Sequence, residues 1–327
     1  MPGVRARSII VPTLERNPHR GKPIDPQAPC LYNDRAMPPK TRIHALLEKE
    51  RTLIFPGVYD ALGAKLVERA GFPLTFISGY SVAATQLGLP DFGYLTQTEM
   101  VATAKRVCGS VKIPIIIDAD TGYGNALNVI RTVNELIDAG AAGMFLEDQI
   151  WPKRCGHMKG KRVIPVDEQA QKIRAAADAR RGRDFFIVAR TDARQVNGLE
   201  DAIHRCRRYK EAGADALFVE APSNAEELGT IARELPPPLV ANMLEGGVTP
   251  LLTKRELEKI GFQLVVCPLT ALYASAKAMQ EMFSLLQTAG TTRTALDRLI
   301  SFQQFHDIIG LPAHYALDER YRSPEEG

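Results

Sequence analysis

The stretch Ile113-Pro114-Ile115-Ile116-Ile117-Asp118-Ala119-Asp120 sets the reading of the whole chain. It is short, rich in β-branched apolar residues, and ends in two carboxylates. That is the pattern of a buried parallel strand whose far end reaches something polar. Seven more runs resemble it: Leu53–Val58, Leu74–Ser78, Gly143–Asp148, Phe185–Thr191, Leu217–Ala221, Leu239–Met243 and Leu264–Pro268. Between them stand segments with apolar residues three and four apart, such as Ala61–Ala70, Asn128–Ala139, Leu199–Ala212 and Ala271–Leu286. This is the spacing of helices with one buried face. Gly71, Gly140 and Gly213 follow three of these segments, where helix C-caps belong. Eight such units in about 235 residues predict an α/β fold of the TIM (β/α)8 barrel type rather than an open sheet.

The ends of the runs carry the chemistry. The second ends in Ser78-Gly79-Tyr80, the third in Asp118-Ala119-Asp120 and the fourth in Glu147-Asp148. The fifth ends in Arg190-Thr191-Asp192, the sixth in Glu220 and the seventh in Asn242. In a barrel these ends share one face, where active sites are built. Packing alone would not select carboxylates there.

Asp118 and Asp120 are two residues apart, so on a strand they share a face. Adjacent carboxylates repel unless a cation joins them or one is protonated. Mg²⁺ suits the pair, since it takes oxygen ligands and keeps several waters. Glu147, from the next run, is placed to complete the shell or to bind a metal water. The plainer alternative is a solvated pair capping the following helix. Arg190 has the geometry to grip a substrate carboxylate bidentately, and its plainer alternative is a salt bridge to Asp192 or Glu220. Asn242 is placed for the other end of a substrate.

Lys153-Arg154-Cys155-Gly156-His157-Met158 lies in Gln149–Pro165, a polar segment long for its position and predicted to form a lid. Two cations and an imidazole flank the thiol, which predicts a lowered Cys155 pKa and proton exchange near neutrality. The alternative is a surface loop with an incidental cysteine. Cys108, Cys206 and Cys267 lack such neighbours and are expected to be packing residues.

Composition excludes several classes. The 41 basic and 38 acidic residues leave a formal charge of +3, which offers no support for nucleic-acid or membrane binding. Five scattered cysteines without CxxC spacing argue against a disulfide scaffold or zinc site, so a cytoplasmic location is expected. No apolar run reaches the roughly 18–20 residues of a membrane helix. Residues 1–40 are rich in Pro and Arg, lack a period, and are predicted to be a mobile extension. Organellar targeting stays open, although Glu15, Asp25 and Asp34 are unusual in a transit peptide. Met37 is an alternative start. Residues 41–290 are assigned to the barrel. Residues 291–327, with the further apolar segment Leu296–Ile309, are expected to pack on a neighbouring subunit of a dimer or, preferably, a tetramer.

At Lys153–His157 the sequence resembles the isocitrate lyase/phosphoenolpyruvate mutase superfamily. The likeness spans roughly residues 41–310 and includes Ser78-Gly79-Tyr80, Leu87-Gly88-Leu89-Pro90-Asp91, Asp118-Ala119-Asp120-Thr121-Gly122, Glu147-Asp148-Gln149, Ala189-Arg190-Thr191-Asp192 and Ala241-Asn242-Met243. The resemblance implies a barrel whose eighth helix swaps between partners, and a Mg²⁺ site at Asp118, Asp120 and Glu147, with Mn²⁺ as a substitute ion. It implies that Ser78, Gly79 and Tyr80 bind the substrate's carboxylate and C2 oxygen, with Asp91, Gly156, Arg190, Glu220 and Asn242 at other active-site positions. Lys153, Cys155 and His157 fall in its catalytic loop, with Cys155 as the proton donor of the lyase branch. Mutase and phosphonopyruvate hydrolase members generally lack this Lys-Arg-Cys-Gly-His pattern.

Within the superfamily, Trp151–Met158 and Met243-Leu244-Glu245-Gly246-Gly247 look most like the 2-alkylmalate (dimethylmalate) lyase, oxaloacetate acetylhydrolase and petal death protein group. The expected function is Mg²⁺-dependent C–C cleavage of a small 2-hydroxy dicarboxylate, or of hydrated oxaloacetate. The alternatives are 2-methylisocitrate lyase, carboxyvinyl-carboxyphosphonate phosphorylmutase and a non-catalytic barrel.

Overall fold

Eight parallel strands close into a barrel in sequence order. They are β1 (Leu53–Val58), β2 (Thr75–Ile77), β3 (Ile115–Asp118), β4 (Gly143–Glu147), β5 (Phe186–Thr191), β6 (Ala216–Val219), β7 (Leu239–Asn242) and β8 (Leu264–Cys267). The ring is shut by β1 against β8, with Leu53 opposite Leu264 and Pro56 opposite Cys267. The computed structural model describes residues 40–322. Except for Lys40, the expected N-terminal extension, with Cys30 and Met37, lies outside the described residues.

Helix α1 (Arg42–Lys49) precedes the barrel and places Ile43, fully buried, with the residues filling its interior. Helix α2 (Ala61–Arg69) follows β1, and the short α3 (Gly79–Val82) and then α4 (Gln97–Cys108) follow β2. Helices α5 (Ala126–Asp138) and α6 (Val166–Arg180) follow β3 and β4. Helices α7 (Ala193–Asn197) and α8 (Leu199–Glu211) follow β5, and α9 (Ala225–Glu234) and α10 (Lys254–Ile260) follow β6 and β7. The described chain ends with α11 (Thr270–Ala289), α12 (Phe302–Ile309) and α13 (Leu311–Tyr321). Gly71, Gly140 and Gly213 adopt positive φ just after the caps of α2, α5 and α8, as their sequence positions predict.

Side-chain alternation explains why the strand ends converge. Phe76, Ile116, Phe145, Val188, Phe218, Val240 and Val266 all belong to the core inside the barrel. Their strand neighbours Ile77, Ile115, Ile117, Met144, Leu146, Ile187, Ala189, Leu217, Val265 and others belong to the core under the helices. Side chains two apart share a face. Each inward apolar residue is therefore followed, two positions on, by a residue aimed at the barrel mouth: Ser78, Asp118, Glu147, Arg190, Glu220, Asn242 and Pro268.

The third run departs from expectation at both ends. Pro114 has no N–H for the ladder, and β3 starts after it. At the other end β3 stops at Asp118, and Asp120 takes a left-handed φ of 46°. Asp120 thus joins Asp118 through a turn, with its N–H donating to Asp118 Oδ1 at 3.2 Å, and not through strand periodicity.

Helix α11 has no buried residue in its 20 positions, and Met279, Phe283 and Leu286 are exposed. Its first turns stay near the barrel, where Tyr59 Oη donates to Ser275 Oγ at 3.0 Å. Helix α12 lies against α2 of the same chain, with Arg69 donating to the Asp307 carbonyl at 3.0 Å. Phe302, Tyr315 and Tyr321 remain exposed.

Closure leaves no room beside Gly57. A Cβ there would sit 2.3 Å from the Pro268 carbonyl oxygen and 2.7 Å from its Cα, both backbone atoms. Gly57→Ala should cost about 2 kcal/mol, the usual scale of an overpacked core. Denaturant unfolding tests this, and an unchanged midpoint would show that the β1–β8 seam can open.

Candidate active site

A pocket at the mouth of the barrel is floored by the inward aromatics Phe76, Phe145 and Phe218. It encloses about 460 Å³ of atom-free space, its open mouth included, a size suited to a small acid. Ser78, Tyr80, Asp91, Asp118, Cys155, Gly156, His157, Arg190, Glu220 and Asn242 line it. Gly79, Asp120, Glu147 and Lys153 stand directly behind. Gly79 N–H donates to Asp118 Oδ2 at 3.2 Å, and Glu147 lies 3.4 Å from Arg190. The structure thus gathers every residue that the sequence reading named for the site.

The segment from Gln149 to Val163 folds over this pocket. Gln149 and Val163 form an antiparallel bridge at its base, and the Gln149 side chain binds Arg154 N and O at 3.0 and 2.8 Å. Cys155 N–H donates to the Asp91 carbonyl at 3.1 Å. Gly156 rests on the site itself: a Cβ there would lie 2.3 Å from Arg190 Nη2 and 2.5 Å from Glu220 Cγ. No residue but glycine permits that approach. His157 Nδ1 accepts from Val248 N–H at 2.9 Å, which leaves Nε2 to donate to Glu220 Oε1 at 3.1 Å.

Both readings of Arg190 meet in the structure. It pairs with Asp192 through Nε and Nη2 at 3.0 and 3.2 Å and stands 3.2 Å from Glu220, yet it still faces the pocket. Burial alone would raise the Glu220 carboxyl, but Arg190 and the His157 donor hold it well below the usual range.

The carboxylates at the mouth outnumber the cations. Lys153 Nζ lies 2.7 Å from both Asp91 and Asp120, and burial opposes its charge while these neighbours hold it protonated. Burial, with Lys153 opposing and Asp118 and Asp91 adding, pushes the Asp120 carboxyl up to about 7. Burial likewise raises Glu147 well above its ordinary value, against Arg190 and Lys153, and Glu147 Oε1 is buried without a hydrogen-bond partner. Buried oxygen ligands short of positive charge fit a hard divalent cation. Among the described residues no three His, Cys, Asp or Glu side chains are close enough to ligate one ion directly. A cation here would be held by one or two carboxylates and by water, a habit of Mg²⁺.

The expected lowering of the Cys155 pKa is overturned. Burial pushes the thiol up to about 11. Lys153 and Arg190 still favour the thiolate but are outweighed, since Lys153 is turned to Asp91 and Asp120, while Arg154 donates to the Lys159 carbonyl at 3.0 Å beside the Phe92 ring. Cys155 is therefore a protonated thiol at neutral pH, the form a proton donor needs. The other described cysteines, Cys108, Cys206 and Cys267, are also free, and burial raises their thiols too.

Three groups in the site were given no role from the sequence, although Asp148 stood at the end of the fourth run. Leu244, Val266, Pro268 and Leu269 form an apolar wall. Asp148, fully buried, holds Thr191 Oγ1, Asp192 N and Tyr209 Oη at 2.7–2.9 Å. Lys161 is buried under the lid. Apolar positions after a strand look like packing residues, and a lysine in a polar loop looks solvated, so no local pattern sets these residues apart.

The family described as phosphoenolpyruvate phosphomutase matches residues 43–287. This chain belongs to the phosphoenolpyruvate mutase/isocitrate lyase superfamily. It is 51% identical to a chloroplastic carboxyvinyl-carboxyphosphonate phosphorylmutase of Arabidopsis thaliana, over 95% of this chain and 90% of that one. It is 49% identical to the petal death protein of Dianthus caryophyllus, over 87% and 90%. Among solved structures, 2,3-dimethylmalate lyase matches with a TM-score of 0.81 and 34% identity, over 86% and 94% of the chains. Oxaloacetate acetylhydrolase with the inhibitor 3,3-difluorooxalacetate matches at 0.80 and 35%, over 85% and 95%. Phosphonopyruvate hydrolase bound to oxalate and Mg²⁺ matches at 0.77 and 28%, over 86% and 98%. Members of the superfamily therefore bind Mg²⁺ and small dicarboxylates.

The thiol's ionisation offers a direct test. Alkylation needs the thiolate. A Cys155 pKa of about 11 rather than the ordinary 9.0 makes the thiolate roughly 100-fold scarcer at pH 8. The rate of Cys155 alkylation, followed by peptide mass spectrometry, should rise about tenfold per pH unit from about pH 7 to about pH 10 without levelling off. A plateau near pH 8 would restore the lowered pKa.

Proposed function

We propose that this chain is a Mg²⁺-dependent carbon–carbon lyase that cleaves a 2-alkylmalate, such as a dimethylmalate, or hydrated oxaloacetate. The observation that carries this is the Cys155 thiol, protonated and held by a closed lid over a pocket charged on one side and apolar on the other. An intramolecular phosphoryl transfer has no use for a proton donor at that place, which favours lyase over phosphorylmutase chemistry. The wall of Leu244, Val266, Pro268 and Leu269 suits an alkyl substituent at C3. It offers no cation to a third carboxylate, which disfavours 2-methylisocitrate.

In this reading Arg190 holds the C1 carboxylate, with Ser78 and Tyr80 beside it. One or two of Asp118, Asp120 and Glu147 would hold Mg²⁺ directly and the rest through water, and the ion would supply Lewis-acid polarisation of the C2 oxygen. Once the C2 hydroxyl has passed its proton to an ionised carboxylate of the pocket mouth, an oxygen electron pair forms the carbonyl as the C2–C3 bond breaks. The bonding pair leaves with C3 as an enolate, and the Cys155 thiol gives its proton to that carbon. Asn242 Oδ1, buried and without a partner, is free to take a donor from the departing fragment. Gly156 and the lid exclude water while the enolate exists.

The test is a screen of 2-alkylmalates, oxaloacetate, 2-methylisocitrate and a carboxyphosphonate with Mg²⁺ present. Cleavage of one of the first two classes is expected. Cys155→Ser should keep KM and lose about 10²–10⁴-fold in kcat, the usual range for a general acid. Wild-type kcat in that variant, or turnover of the phosphonate alone, would refute the reading.

We also propose that α11 finds its cover on a second copy, in a dimer or tetramer. Support comes from its 20 residues without one buried side chain. Sedimentation should show no monomer at micromolar concentration. A monomeric species would refute the assembly and leave the chemistry standing.

A further inference from the structure

Lys161 sits in the returning arm of the lid with its side chain 1% exposed. Its ammonium donates to the Gly156 carbonyl, across the lid, and to Asp192 Oδ1 at 2.8 Å. The same Asp192 carboxylate receives Arg190 Nε on Oδ2 and Arg190 Nη2 on Oδ1. One oxygen is thus shared by a cation from the lid and a cation from a barrel strand.

Asp192 is the stationary partner. Its N–H donates to Asp148 Oδ1 at 2.9 Å, and Asp148 is in turn held by Thr191, Tyr209 and Arg205. Arg190 alone would have to answer three buried carboxylates, Glu147, Asp192 and Glu220. A guanidinium so surrounded repels a further anion more than it attracts one. A second cation on Asp192 removes one of those claims. Lys161 belongs to the segment folded over the pocket, so that charge is in place while the segment covers the site.

We propose that Lys161 is a positioning residue: by sharing Asp192 with Arg190, it readies Arg190 for a substrate carboxylate only in the closed state. Lid closure and anion binding are then one coupled event. The proposal rests on the lyase reading only in taking the substrate to be a carboxylate held by Arg190. A lysine that merely braced the loop would tie Gly156 to the returning arm and leave the affinity of Arg190 unchanged.

The experiment compares the full-length parent with Lys161→Met, Lys161→Arg and Lys159→Met, the last an exposed lysine of the same loop. The first readout is oxalate binding by calorimetry with Mg²⁺ present. Lys161→Met should weaken oxalate roughly 10- to 100-fold, the usual size of coupling between linked sites. Lys161→Arg should recover most of the loss, and Lys159→Met should match the parent. The second readout is alkylation of Cys155 in the ligand-free protein, which should quicken in Lys161→Met as the lid spends longer open. Trp151, the one tryptophan of the chain and placed at the lid's base beside Tyr123, reports the same opening through its emission. Should Lys161→Met fail to fold, Lys161→Gln keeps a donor without the charge and should show the same two effects. Parent-like oxalate affinity in the neutral variant overturns the proposal, and faster alkylation without weaker binding assigns the bracing role instead. A parent that binds no oxalate counts against the lyase reading. The dicarboxylate turned over in the substrate screen then replaces oxalate in the same comparison, where parent-like affinity in the neutral variant overturns the proposal.

Discussion

The crowding of carboxylates at the barrel mouth is the constraint on which the rest of the site depends. Asp91, Asp118, Asp120, Glu147, Asp192 and Glu220 are all nearly inaccessible to water. Each ionised group in such a place needs a cation or a dense set of donors. Strand β5 supplies one cation in Arg190, and the lid supplies two more in Lys153 and Lys161. The lid is therefore drawn down by charge that the barrel cannot satisfy alone. Asp120 and Glu147 are still left with raised pKa values, chiefly through burial, so the mouth keeps an excess of buried acidic groups.

The barrel was legible in the sequence because one rule served twice. Alternation along each strand buried Ile116 and aimed Asp118, buried Phe145 and aimed Glu147, and did the same through Asn242. Apolar runs therefore revealed both the fold and the site's first ring of residues. Asp120 shows the limit of that rule: its partnership with Asp118 was foreseen, but a left-handed turn and not the pleat brings it about. The lid was legible as a long polar loop, whereas its electrostatics were not. Neighbours in sequence suggested that Lys153 and Arg154 act on the Cys155 thiol. In space each turns to another partner, and burial decides the pKa. Lys161 and the apolar wall acquire meaning only from elements distant in sequence.

Strand ends and the loop over the pocket divide the site's groups between them. The groups assigned to hold a substrate stand on strand ends, where backbone pairing on both sides limits their movement. The group assigned to deliver the proton stands on the lid, beside a glycine that lets it lie flat on Arg190 and Glu220. In the proposed lyase reading, an acid carried on the lid would meet the carbanion-like fragment only after solvent had been displaced. The order of events follows from which element carries which residue.

The elevated Cys155 pKa also bears on how the protein ages. Peroxide attacks thiolates and accessible sulfur, while a buried neutral thiol reacts slowly. A donor activated by flanking cations would have been the first side chain lost to oxidative damage. In the proposed lyase reading, an acid kept neutral and only partly exposed is spared that hazard while the lid lies over the pocket, so a protein at work is expected to oxidise faster than one held shut by a bound dicarboxylate.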